Sequence, residues 1–324
     1  MSLSRSFLAI FTLIILSIVV TSSGCIGDDD ESELERDGRW GIYSLDISSS
    51  ETKLIVSFDE EVKTIRLDPY GAMLVFSKPL LLNEDSSEEI FTVTVEGYDL
   101  VRVTSNEFWD LYPTWSSNGS EIFHLSWRAD DLDIYVIRPG DEESSLIYDS
   151  GSHDADIHCN TDRIVFTSKS CICIMREDGS GMRTVTEPPM AGEWGEANLP
   201  FGDYDPQLDP SGSWIVFERL EDDESPHGNY NIYKIRTDGT DETKLTYTGH
   251  SQGFASWSHD GEKLVYLVAA IDGQGAYDIY LMDKNGNDIR NITPDYYPEG
   301  FLCHAPIFSI DDSKIYFIGQ WWEN

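Results

Sequence analysis

Four of the seven histidines, His153, His227, His250 and His304, fall in segments with little strand character. Imidazole is the side chain most readily used as a base near neutral pH. His250 and His304 each stand just before an apolar strand-like stretch, where an enzyme would place a base. The run His153-Asp154-Ala155-Asp156-Ile157-His158 offers nitrogen and oxygen donors, and strand alternation would put Asp156 and His158 on one face. It reads as an exposed loop leading into a strand, and neither a metal nor a cofactor is expected. No G-x-S-x-G, H-E-x-x-H or phosphate-binding glycine loop occurs, so no catalytic residue is assigned. The same loops are rich in rings. Trp109, Tyr112, His153, Trp194, Tyr204, His250, Phe254 and His304 form a candidate binding set. Large rigid side chains bury area at low entropic cost, which suits a protein segment or a small ligand.

The elements that position these residues recur. Pairs of strand type read Ile42-Tyr43, Ile90-Phe91, Ile134-Tyr135, Ile172-Cys173, Ile232-Tyr233 and Ile279-Tyr280. Between them lie tight-turn signals whose glycines, Gly71, Gly119, Gly212 and Gly261, put neighbouring units 48 or 49 residues apart. Strands such as Trp214-Ile215-Val216-Phe217 are apolar on both faces, as in sheets sandwiched between other sheets. A second glycine turn follows, and the unit often closes on threonine: Thr104, Thr186, Thr246 and Thr293. Short strands repeating at this period predict an all-β, six-bladed β-propeller of four-stranded antiparallel blades. The blades are expected over 62–104, 112–149, 155–186, 204–246, 254–293, and 305–324 with 40–57. The last is closed by the amino-terminal strands, with 41–56 beside 314–318, which removes exposed sheet edges. The third blade has the weakest signal, because its first turn, Asn160-Thr161-Asp162, lacks glycine.

Residues 1–24 predict a signal peptide: Arg5, an apolar run from Phe7 to Val20, then Thr21-Ser22-Ser23-Gly24. Cys25 follows directly. Residues 25–39 form an acidic tether, and 40–324 the propeller domain. Four further cysteines, Cys159, Cys171, Cys173 and Cys303, admit either one disulfide or buried free thiols. With 59 acidic against 22 basic residues the net charge is −37, which excludes nucleic acid as a partner.

The repeat resembles the TolB-type, WD-repeat-like propeller family, whose unit runs approximately P-x-W-S-P-D-G, a hydrophobic strand, D-I-Y, D-G and L-T. Matching stretches are Pro113-Thr114-Trp115-Ser116 with Gly119 and Asp133-Ile134-Tyr135, and Trp257-Ser258-His259-Asp260-Gly261 with Asp278-Ile279-Tyr280 and Ile292-Thr293. Small-Gly-Cys after an apolar run resembles a lipoprotein lipobox, which implies lipidation at Cys25 and an extracytoplasmic, membrane-anchored domain; Ser22 stands where that motif usually has leucine. The resemblance implies a binding or scaffold module working through its loop-rich face and central channel. Related propellers also include carbohydrate- and peptide-acting enzymes, so a lyase or hydrolase with acid and base groups at the channel mouth is the alternative.

Overall fold

The computed structural model describes residues 34, 38–80, 87–128, 130–193, 200–222, 229–269 and 277–321. The signal segment, Cys25, Trp194 and His227 lie outside the described residues. Twenty-four strands and no helix occur among those described, so the described residues hold no helix long and apolar enough to cross a membrane. The strands run in units of four. They are β1 (Trp40–Asp46) and β2 (Thr52–Phe58), then β3 (Lys63–Leu67), β4 (Met73–Pro79), β5 (Glu88–Thr94) and β6 (Val101–Arg102). Next come β7 (Trp109–Trp115), β8 (Ile122–Trp127), β9 (Leu132–Ile137) and β10 (Ser145–Tyr148), then β11 (Asp154–Asn160), β12 (Arg163–Ser168), β13 (Cys171–Arg176) and β14 (Arg183–Thr184). The chain continues through β15 (Gly202–Leu208), β16 (Trp214–Asp222), β17 (Asn229–Arg236) and β18 (Thr243–Lys244), and β19 (Gln252–Trp257), β20 (Lys263–Ala269), β21 (Tyr277–Asp283) and β22 (Arg290–Asn291). It ends with β23 (Phe301–Phe308) and β24 (Lys314–Trp321).

Hydrogen bonding corrects the expectation of six separate blades. Four sheets of four strands stand alone, while β3–β10 form one eight-stranded sheet. The link is a single parallel pair, Glu88 of β5 with Trp109 of β7. The amino terminus closes a sheet as expected: its order is β2-β1-β24-β23, with Tyr43 opposite Phe317. The first strands of successive units, β3, β7, β11, β15, β19 and β23, touch in a closed cycle around an axis.

The core lies between sheets rather than within them. Leu74 and Phe76 of β4 pack with Ile318 and Ile42 of the closing sheet, while Val75 between them packs with Trp115 and Ile122 on the other side. Ile215 and Phe217 likewise face Val165, and Val216 faces Trp257 and Leu264. Strand alternation thus serves two neighbours at once, and each fully buried side chain contributes about 1.5–3 kcal/mol.

Turn chemistry explains the repeated polar residues. Asp68 Oδ1 accepts the amides of Ala72 and Met73, and Asp209 Oδ1 those of Ser213 and Trp214. Ser116, Ser258 and Ser309 accept the amides of Glu121, Lys263 and Lys314 in the corresponding turns. The weak third unit makes its turn without glycine: Thr161 and Asp162 both take positive φ, 50° and 62°, as a two-residue hairpin requires. The closing threonines have a specific task. Thr104, Thr186, Thr246 and Thr293 each accept the amide of the isoleucine fourteen residues earlier, at 2.9, 2.9, 2.9 and 2.7 Å.

Candidate functional site in the central channel

Each first strand is interrupted at the same point. Thr64, Tyr112, Asp156, Asp205, Phe254 and Ala305 all have positive φ, between 45° and 54°, beside a register shift. Six such bulges around one axis, none at glycine, re-aim the side chains there, and strained backbone of this kind gathers at functional sites. Two residues further on, Arg66, Thr114, His158, Gln207, Ser256 and Ile307 line a cavity of about 230 Å³. Its rim is made of the tight turns, including Pro69, Ser117 and Pro210, so it opens at the end opposite the long connections.

The channel holds charge. Arg66 Nη2 of β3 lies 3.7 Å from Asp205 Oδ1 of β15, and both side chains are largely buried. Asp156 accepts the Asp205 amide at 3.4 Å. Glu218 of β16 accepts the Phe254 amide at 3.1 Å, and it occupies the space where a side chain at position 253 would stand: a Cβ on Gly253 would lie 2.1 Å from Glu218 Oε2. Burial, then the Asp205 carboxylate, raises Asp156 to about 7. Burial raises Asp205, with Arg66 opposing, and raises Glu218 well above the carboxylate range, with Asp205 adding to the shift. His158 is held at about 3 by burial and then by Arg66, so it is neutral; its Nδ1 accepts the Leu208 amide at 3.1 Å, which places the ring proton on Nε2. Toward the other end, Lys63 Nζ pairs with Glu88 at 2.9 Å. Burial raises the Tyr112 hydroxyl, with Lys63 opposing.

The ring set proposed from sequence divides. Tyr112 and Phe254 sit on bulges at the axis, and Phe254 is 38% exposed. Trp109 begins β7 at the link to β5. His153 is exposed and lies against Trp127, with ring centroids 4.9 Å apart and the planes tilted by 36°. Tyr204 is buried, donating to the Pro200 carbonyl and packing with Phe201 and Leu220. His304 is buried between Trp40 and Tyr277, contacts Gln320 at 3.2 Å and is lowered to about 4, chiefly by burial. That environment fits a neutral packing residue better than a base at neutral pH. His250 is half-buried, with Nδ1 unpartnered. Cys159, Cys173 and Cys303 are buried free thiols and Cys171 a half-buried one.

Sequence reasoning missed Arg66, Asp205 and Glu218 as channel residues, although it placed Asp156 and His158 together. No position of the first strand is charged throughout: the bulge carries an acid in two of the six units, Asp156 and Asp205, Arg66 stands alone at its position, and Glu218 lies on a second strand. The bulge that brings those positions to the axis has no marker in residue type.

These features define a propeller-type ring with a charged axial channel. No family model matches the chain. A 52-residue stretch is 36% identical to the Tol-Pal system protein TolB of Desulfosudis oleivorans, and that match takes in 16% of this chain and 12% of TolB. A protein of Agrobacterium tumefaciens assigned as a TolB superposes with a TM-score of 0.67 at 16% identity, covering 88% of this chain and 99% of that one. An oligogalacturonate lyase of Vibrio parahaemolyticus superposes at 0.53 with 11% identity, covering 87% and 83%. At these identities the likeness is one of fold: the chain has a TolB-like β-propeller fold.

Proposed function

We propose that this protein is an extracytoplasmic propeller, tethered to the membrane through Cys25 and residues 25–39, that binds a cationic group of a protein segment or small ligand in its channel. One observation carries the reading. Asp156, Asp205 and Glu218, each half-buried, share the channel interior with a single guanidinium, Arg66. A carboxylate cluster short of cations gains by admitting one, and an ammonium or guanidinium supplies both charge and donors. Phe254 and Tyr112 on the same bulges add aromatic faces for the aliphatic part of such a group. The loop-rich face, with Trp109 and His153, is then an outer contact area.

The test is titration calorimetry of the full-length protein with short lysine-containing peptides, free and fully acetylated. Binding of the free forms, strengthening as pH rises through 7 and weakened at least about tenfold by Asp205→Asn, is expected. Equal affinity for acetylated peptides would discard the reading. Mass spectrometry of membrane-extracted protein tests the anchor: a lipid-modified amino-terminal cysteine is expected, and an unmodified Cys25 in a longer chain would remove it.

A second reading is favoured by Asp156, a half-buried channel acid raised to about 7, where it can serve as a general acid. An enzyme acting on acidic oligosaccharides or peptides would use it. Ultraviolet-absorbing unsaturated product from oligogalacturonate, lost in Asp156→Asn, would support that reading.

A further inference from the structure

We propose that Asp131, Asp133 and Asp149 hold a divalent cation, of the calcium class, that fastens the outermost strand of the β7–β10 unit.

The argument starts from how other units hold that strand. In three of them the residue before the recurrent isoleucine engages the one twelve residues after that isoleucine, directly or through one further side chain. Glu89 pairs with Arg102 at 2.9 Å, and Asp278 accepts from Asn291 at 3.2 Å. In the β15–β18 unit Asn231 and Lys244 meet through Glu221, which pairs with Lys244 at 2.5 Å. The threonine clamp lies two residues further along. In the β7–β10 unit both devices are lost. The residue twelve after Ile134 is Leu146, which is 51% exposed, and the residue fourteen after it is Tyr148 rather than threonine. The pairing of β10 with β9 slips between Leu146 and Tyr148.

What replaces the missing cationic side chain is more negative charge. One carboxylate oxygen from each of Asp131, Asp133 and Asp149 lies within 4.8 Å of the others. Asp133 is only 5% exposed, and its Oδ1 has no hydrogen-bond partner. A second fully buried acid, Asp154, has an unpartnered Oδ2 and lies within electrostatic reach of Asp133 and Asp131.

Geometry selects the ion. Two oxygens each about 2.4 Å from one calcium can stand at most about 4.8 Å apart, and calcium tolerates irregular oxygen shells completed by water. Magnesium needs shorter bonds and stricter octahedral geometry. Asp131 and Asp133 flank the start of β9, and Asp149 follows β10, so one ion would join the two strands where the threonine and the ion pair do so elsewhere.

The full-length protein, stripped with chelator, is titrated with calcium chloride while its unfolding temperature is read. An increase of several degrees is expected, with a smaller one from magnesium. Asp149→Asn, at an exposed position that loses no packing, should weaken calcium binding about tenfold or more. Glu299→Gln removes one exposed charge elsewhere and should keep the full response. Terbium serves as an independent probe, because Trp127 pairs with Leu132 between two of the aspartates and can sensitise its emission. Calcium should displace that signal, and Asp149→Asn should abolish most of it. An equal calcium response in Asp149→Asn and Glu299→Gln, or terbium emission unchanged by Asp149→Asn, overturns the site. An equal response to magnesium overturns its assignment to calcium.

Discussion

Arg66 and Asp205 belong to strands on opposite sides of the ring, β3 and β15, yet their side chains meet at 3.7 Å on the axis. The pair spans the channel beneath the bulges. Arg66 also donates to the Ile65 carbonyl at 3.0 Å, so the guanidinium is fixed at its own strand and reaches across with the other nitrogen. It is the cation that Asp156 and Asp205 have in common, while Glu218 faces those two carboxylates.

Removing one member of a buried charge pair leaves the others uncompensated, which costs more than the pair contributes. Arg66→Met should therefore destabilise the domain by about 3–5 kcal/mol in urea unfolding. Adding Asp205→Asn should recover a substantial part, because the remaining channel then carries one carboxylate fewer. Strict additivity of the two substitutions would show that the contact carries no coupling.

The raised pKa of Asp156 has a consequence of definite sign for stability. Its carboxyl binds a proton in the folded chain up to about pH 7, whereas in the unfolded chain it releases it near the ordinary aspartate value of 3.8. Between these values the folded state holds more protons, so this group's contribution to stability falls as pH rises from about 4 to 7. Asp205 and Glu218 shift in the same direction. Asp156→Asn keeps a residue that tolerates positive φ and removes the titration. The unfolding temperature of the variant relative to the parent should climb by several degrees between pH 5 and pH 8. A constant difference across that range would mean that Asp156 is ionised throughout.

Much of the ring was legible in residue order. Period, turn glycines and two-faced apolar strands follow from local rules, and the junction of Tyr43 with Phe317 followed from a unit that had its first two strands at one end of the chain and its last two at the other. The link between Glu88 and Trp109 was not legible, because a single backbone pair between units depends on how two sheets twist past each other. The axial charges were hidden for a related reason. In a regular strand Asp205 and Gln207 would share a face, but the register shift between Tyr204 and Gln207 decides what reaches the axis. The rings were legible only as rings: Phe254 stands exposed on a bulge near the axis, while Tyr204 and His304 are packing residues.

The threonine clamp gives a prediction that can be repeated in several units. Ile232 donates its amide to Thr246 Oγ1 and accepts the Leu245 amide at 2.8 Å, so one residue is held from both sides. Thr246→Val preserves shape and removes the acceptor, leaving a buried amide unpaired at a cost of about 1–3 kcal/mol. Thr104→Val should behave alike, because Ile90 and Val103 repeat the arrangement at 2.9 and 2.7 Å. Calorimetric unfolding of both variants measures this. Wild-type stability in either would place the clamp's energy in packing.

Gly253 offers the most local test of the channel. Its missing side chain leaves room for the Glu218 carboxylate, whose Oε2 accepts the amide of Phe254 next along the strand. A methyl group at 253 would meet that oxygen at 2.1 Å, far inside van der Waals contact, so Glu218 must swing away and give up the bond. Gly253→Ala should cost about 1–3 kcal/mol, as overpacking does. The cost should shrink when Glu218→Ala vacates the space first, so a double-mutant cycle should show coupling of about 1 kcal/mol or more. Independence of the two substitutions would mean that the backbone at 253, rather than the carboxylate, needs glycine.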